Sequence, residues 1–356
     1  MIASSSPILV VLGPGSFGEL AESERLASMR LRVLPLERAA HQLGWWVWRP
    51  ETLDQTWNAL QQPGLSVVYL GKWSPPPTAE ATTSVTQLFE TFLNRIQPQL
   101  NAKLLFDCCE NNFVAAHAWH RDYASFWAAQ ADVCIASTNA LASEVLPRQV
   151  GPSCSLITIA DCTEQIAVPS ACSANGPGIG WFGHDTNIQP LLDLAFAHRP
   201  VSQQLTLITR AEVLRDRLGS QNLLKRFEDC FQAVHWYEYE SPQQLSDQLQ
   251  GVGSVVLPVN GDDARKRYSS HNRLTTALLL GKKVFASPIP AYEPFSDLAV
   301  LASDPLAACL QGEQPQCCLA PQPLRDRLNA DFGVERIEQQ YRQLLSDVAP
   351  TSPKPR

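Results

Sequence analysis

Three stretches of the sequence carry residue types that can hold an anion or move a proton. Gly13, Gly15 and Gly18, with Ser16 among them, are spaced as GxGxxG directly after an apolar run at 8–12. Such a turn can bring backbone N–H groups close to a pyrophosphate. Its dinucleotide-binding form wants a carboxylate at the end of the second strand, about 20 residues on. Here that strand closes near Glu51, well beyond that distance, and Pro14 removes a backbone donor from the turn. Farther along, Arg265, Lys266, Arg267 and Arg273 gather around the start of a helix opening at Ser270. Ser270 is a good N-cap, and the first N–H groups at His271, Asn272 and Arg273 have no partner within the helix. Lys266 and Arg267 are the residue types that neutralise charge developing on a diphosphate leaving group; a solvated charged loop is the plainer account of them. The third stretch holds His117 and His120, at i and i+3, with Asp122 close behind. Two histidines underdetermine a metal site, and Trp119, Tyr123, Phe126 and Trp127 make this segment mainly a packing helix. No metal is expected. Asp107, Glu110, His117 and His120 are the candidates for a base that deprotonates an acceptor hydroxyl.

These residues need a frame, and the apolar periodicity supplies one. Short apolar runs alternate with longer amphipathic stretches along the chain, which is the pattern of βα units around parallel sheets. Strands are predicted at 8–12, 45–48, 66–70, 103–106, 133–136 and 156–159, with helices at 34–42, 85–95 and 114–129. A segment of small residues, Pro and Gly at 169–178 reads as a linker. The alternation then restarts with strands at 179–182, 204–208, 233–237, 254–259 and 283–286, and helices at 188–197, 212–227, 242–250 and 270–280. A closing helix spans 324–348, and 349–356 is expected to be a disordered tail. The division is therefore 1–172, 173–323, the helix 324–348 and the tail. The fold class is α/β, two Rossmann-like domains facing each other across a cleft, because ligands of open parallel sheets sit outside the carboxyl ends of the strands.

Composition limits the partners. At 356 residues the chain exceeds what one core usually supports. Net charge is −7 with no basic run, so nucleic acid is not expected as a partner. No apolar run approaches the ~18 residues of a membrane span, and the N-terminus lacks the basic start of a secretion signal. Ten cysteines, two pairs of them adjacent, show no CxxC spacing and read as reduced thiols of a cytoplasmic protein.

The block from Ser270 to Glu293, a helix, Gly281, a short buried strand and a small-residue turn, resembles the nucleotide-sugar segment of the large retaining GT-B glycosyltransferase family (family 4-like, group 1). Other pieces resemble the same family at matching places. They are Ser28, Arg30 and Arg32 before the first helix, Asp107 to Glu110 after the fourth strand, and Gly180 to His184 with Asn187 at the restart. The resemblance covers about residues 7 to 310. It implies a hexosyltransferase of polysaccharide biosynthesis that takes a nucleotide-diphosphate sugar and a saccharide, lipid-linked or small-molecule acceptor, with no cofactor. Gly183, His184, Arg210, Ser270, His271, Asn272, Arg273, Thr276 and Glu293 fall on its donor side. Gly13, Gly15, Ser16, Arg30 and Arg32 fall on its acceptor side, and Lys266, Arg267, Asp107 and His117 are the catalytic candidates. Two glutamates common in the family are Thr276 and Tyr268 here, and its basic residue after the first strand of the nucleotide domain is His184. Those replacements keep open a non-catalytic sugar- or nucleotide-binding protein. The Gly13 turn keeps open an NAD-dependent oxidoreductase.

Overall fold

A computed structural model describes residues 6–12, 26–72, 90–166, 176–317 and 319–349. Gly13, Gly15 and Ser16, residues 169–175 of the linker expected at 169–178, and the tail at 350–356 lie outside the described residues. The chain divides into two compact units, Met1–Cys162 with Tyr268–Ser270 and Phe332–Arg356, and Thr163–Arg267 with His271–Asp331.

Unit 1 is built on a six-stranded sheet of β1 (Ile8–Leu12), β2 (Trp46–Trp48), β3 (Leu65–Leu70), β4 (Lys103–Cys108), β5 (Val133–Ala136) and β6 (Ser155–Thr158). The order is β2-β1-β3-β4-β5-β6, and every pairing is parallel. Strands covered on both faces read as near-continuous apolar runs, and all five residues of β1 are buried. Val10, Leu12, Val68 and Leu70 point to one face and Leu9, Val11, Val67 and Tyr69 to the other, as the two-residue period requires. The first face packs on α3 (Ala118–Gln130) through Tyr123, Ala124 and Trp127. The second packs on α1 (Leu34–Gln42). A shorter helix, α2 (Leu53–Leu60), follows β2.

Unit 2 repeats the plan with β7 (Gly178–Phe182), β8 (Val201–Thr209), β9 (Phe231–Glu238), β10 (Val252–Leu257), β11 (Lys283–Ala286) and β12 (Val300–Leu301), in the parallel order β12-β11-β10-β7-β8-β9. Its helices are α4 (Gln189–His198), α5 (Ala211–Ser220), α6 (Leu224–Glu228), α7 (Pro242–Gln248), α8 (Asn272–Leu279), α9 (Pro305–Leu310) and α10 (Pro321–Phe332). The helix expected at 212–227 is two helices, because Asn222 takes a left-handed φ of 56° between them. The expected closing helix is also two. α10 ends at Phe332, and α11 (Val334–Val348) starts after Gly333, whose extended backbone interrupts the helix. α11 belongs to unit 1, where Ile337, Tyr341, Leu344 and Leu345 pack in the cluster that holds α1.

Candidate functional site

In unit 2 the chain leaves β7 to one side, through β8 and β9, and returns on the other through β10 to β12. Strand order reverses at β7 and β10, so the crevice outside their carboxyl ends is where an open parallel sheet binds ligand. β7 ends at Phe182 and is followed by Gly183, whose N–H donates to the Ile208 carbonyl of β8 at 3.2 Å. A side chain at position 183 would place its Cβ 3.2 Å from Nη1 and 3.5 Å from Cδ of Arg273, and 3.5 Å from the Trp181 ring. Glycine is thus what lets Arg273, from the first turn of α8, lie across the strand end. Arg273 Nη1 is buried and has no hydrogen-bond partner among the described residues, an expensive state for a charged donor. α8 begins with His271 as N-cap, and no side chain among the described residues caps it, so its first N–H groups are open to another acceptor. The cap falls at His271 rather than at Ser270, which belongs to unit 1.

On the β8 side of the same strand end, Asp185 is 2 % exposed. Its Oδ1 accepts Arg210 Nε at 2.7 Å, and its Oδ2 accepts Arg217 Nη1 at 3.2 Å. His184 Nδ1 lies 2.9 Å from the Thr186 hydroxyl, in the short 3-10 turn Asp185–Asn187. Three guanidinium groups therefore surround the end of β7 with one carboxylate among them. Asp185 and Arg217 escape a reading of the sequence, because nothing in their spacing joins position 185 to position 217.

The remaining donor-side residues are placed differently. Lys266 and Arg267 lie in a loop shaped by Asp263, whose Oδ1 accepts the N–H groups of Arg265 at 2.8 Å and Lys266 at 3.2 Å. Arg273 is the cation that reaches Gly183. Thr276 is 4 % exposed within α8, and the His271 ring is buried 5.6 Å from that of Phe295. Asn272 is half-buried and Glu293 exposed, at the start of a 3-10 turn.

In unit 1 the sequence-derived residues separate into a core pair and a rim. Arg32 is buried, with Nε donating to Asp107 Oδ2 at 2.6 Å, Nη1 to Asp161 Oδ1 at 2.9 Å and to the Ile159 carbonyl at 2.9 Å. Tyr69 also donates its hydroxyl to Asp107 Oδ2, at 2.5 Å. Burial works against the charge on Arg32, but Asp107, Tyr341 and Asp161 together more than offset it and hold the guanidinium well above its ordinary range. Burial first, and then Asp107, pushes the Tyr69 hydroxyl up as well. Arg32 and Asp107 thus satisfy each other inside the sheet, which leaves neither placed to meet an acceptor. Arg30 is half-buried in the turn Met29–Val33 that precedes α1.

At the rim, Lys72 after β3 donates to Glu110 after β4, a pair that spacing alone did not reveal. Tyr123 of α3 donates to the neighbouring Gly71 carbonyl at 3.0 Å. His117 is exposed as the N-cap of α3, its ring 5.9 Å from that of His120, which lies 3.5 Å from the Trp119 ring. Among the described residues no three His, Cys, Asp or Glu side chains gather in a metal-binding arrangement, and no helix is long and apolar enough to cross a membrane.

No protein-family model and no curated protein matches the sequence. Solved structures do match the fold. A glycosyltransferase involved in avilamycin A biosynthesis is 13% identical, with a TM-score of 0.51 over 96% of this chain and 99% of that one. The trehalose-6-phosphate protein from E. coli bound with UDP-2-fluoro glucose is 10% identical, with a TM-score of 0.55 over 98% of this chain and 100% of that one. A trehalose-6-phosphate synthase, OtsA, gives 0.52 at 10% identity over 98% and 100%. The chain has the α/β fold of these GT-B glycosyltransferases, with two Rossmann-like domains.

Proposed function

We propose that the protein transfers a hexosyl group from a nucleotide-diphosphate sugar to a saccharide, lipid-linked or small-molecule acceptor, in the cytoplasm and in polysaccharide biosynthesis. A single observation carries the reading: the Arg273 guanidinium lies across Gly183 at the strand-order reversal of unit 2, with Nη1 buried and lacking an acceptor among the described residues. A diphosphate supplies what that group lacks, and the uncapped start of α8 adds backbone donors and a favourable dipole. Negative charge grows on the diphosphate as the glycosidic bond breaks, so a fixed cation there favours the transition state over the bound donor. The similar E. coli structure carries UDP-2-fluoro glucose, which makes UDP-glucose the first donor to try. Lys266 and Arg267 are the next cations for the same role, and the acceptor is assigned to residues of unit 1, His117 among them.

Calorimetric titration with UDP, GDP and UDP-glucose tests this. The expected result is saturable binding of one nucleotide diphosphate by wild type, weakened at least about ten-fold in Arg273→Gln, since a charge-assisted hydrogen bond contributes roughly 1.5–3 kcal/mol. Absence of binding by the wild-type protein would overturn the proposal. Tight binding without release of UDP from UDP-glucose, with or without added saccharide, would instead favour a non-catalytic binder. The replacement of the family glutamates by Tyr268 and Thr276 points the same way as that outcome.

A further inference from the structure

A second feature of the same strand end is not explained by Arg273. Asp185 sits two residues beyond Gly183 and is 2 % exposed, so its charge is desolvated and must be repaid by partners. The charged partners are two arginines, and His184 Nδ1 lies 3.3 Å from Oδ1 as well. Arg210 approaches Oδ1 with Nε at 2.7 Å and Nη2 at 2.6 Å. Arg217 gives Nη1 to Oδ2 at 3.2 Å and Nη2 to the Asp185 carbonyl at 2.7 Å. Arg217 comes from α5, whereas Arg210 immediately follows the last residue of β8, and its side chain is 53% exposed. Because Asp185 takes Arg210 along its Nε–Nη2 edge, the Nη1 edge makes no hydrogen bond among the described residues. One carboxylate balances only one of two guanidinium charges, and the surplus sits beside Gly183.

We infer that Asp185 is a positioning residue that holds Arg210, braced by Arg217, as a second cationic contact for the donor's diphosphate, on the β8 side of Gly183. Arg273 reaches the same glycine from α8, which follows β10, so the two guanidinium groups flank the strand end from its two neighbouring strands. This rests on the donor reading above and adds to it a distinct part for an acidic residue in an anion site. An aspartate there is counterproductive by charge alone, since it repels the diphosphate; its value lies in fixing a long, flexible side chain that would otherwise lose rotamer freedom on binding.

Charge and positioning accounts predict opposite signs for one substitution, Asp185→Asn. Removing the negative charge should tighten binding if Asp185 matters only through its field. It should weaken binding if Asp185 orients Arg210, because the amide nitrogen can no longer accept. The probes are UDP, GDP, inorganic pyrophosphate and uncharged uridine, titrated into the full chain. We expect Asp185→Asn and Arg210→Gln each to weaken the nucleotide diphosphate and pyrophosphate about ten-fold, to leave uridine unchanged, and to be non-additive when combined. Arg210→Gln leaves Asp185 paired with Arg217, so it tests the idea even if Asp185→Asn does not fold. Diphosphate affinity unchanged in folded Arg210→Gln, or raised in folded Asp185→Asn, overturns the inference. If Arg273→Gln still loses binding in that case, the donor reading stands without it. A flat wild-type titration overturns both.

Discussion

The Arg32 guanidinium and the Asp107 carboxylate, 75 positions apart in sequence, meet inside unit 1 with Nε and Oδ2 separated by 2.6 Å. The pair joins the turn before α1 to the end of β4, and Asp161 and Tyr69 complete it. Removing one partner from such a pair leaves an uncompensated buried charge. Arg32→Met should therefore cost about 3–5 kcal/mol, and Asp107→Leu in the same background should recover part of it. Urea unfolding followed by far-UV circular dichroism checks this. A loss below about 1 kcal/mol would mean that water reaches the pair.

The alternation of apolar runs is enough to read every strand but β12, whose two residues are too few to show a period. Predicted bounds for β5, β11 and α1 coincide with the observed ones because each is a continuous apolar run or a clear helical stripe between turn residues. What failed was local. α2 went unread, although Thr52 and Gln55 spell a capping sequence and the Thr52 hydroxyl does accept the Gln55 N–H at 3.2 Å. The breaks at Asn222 and Gly333 were missed because the apolar spacing continues through both. For the candidate site, glycine and arginine types were legible, but not which arginine meets which glycine. That Arg273 crosses Gly183 is set by the adjacency of β7 and β10, a tertiary fact.

Gly183→Ala isolates that crossing. The added methyl would sit 3.2 Å from Arg273 Nη1, and the guanidinium is the far end of a flexible side chain, so it can move away. Gly183 also has a φ of 157°, a backbone conformation that side-chain-bearing residues rarely adopt, so the substitution should still cost about 1–3 kcal/mol of stability. Nucleotide diphosphate affinity should fall about ten-fold, as expected when one charge-assisted contact is lost. Equal affinity in the two proteins, measured by calorimetry, would show that Arg273 does not need its present position.

Gly180 is a contrasting case in the same strand. A Cβ there would meet Leu249 Cδ2 and Val252 Cγ1 at 2.9 Å each, and both residues are buried. Neither can move without disturbing the end of α7, which Leu249 caps, or the pairing of β10 with β7. Gly180→Ala should cost about 1–3 kcal/mol, the usual range for overpacking a core. Its residual folded fraction should still bind nucleotide diphosphate, since the change lies away from Gly183. A thermal melt with and without UDP separates the two effects, and a variant as stable as wild type would contradict the packing account.

Glu37 offers a test in pH. Its carboxyl is mostly covered, and burial raises it above the ordinary carboxylate range, against the pull of Arg49 and then Arg38. Arg49 Nε lies 2.8 Å from Oε1, yet out of line for a hydrogen bond, so the ion pair does not offset the desolvation. A group whose folded-state value is raised contributes stability while protonated, and loses it as pH rises through that value. Glu37→Gln keeps the neutral form at every pH. The variant should therefore gain on wild type as pH climbs from about 4 toward neutrality, with the gain levelling off once Glu37 is ionised in the folded protein. Urea midpoints of the two proteins across that interval report the difference directly. A gain that shrinks with rising pH would mean that Arg49 stabilises the carboxylate more than burial penalises it.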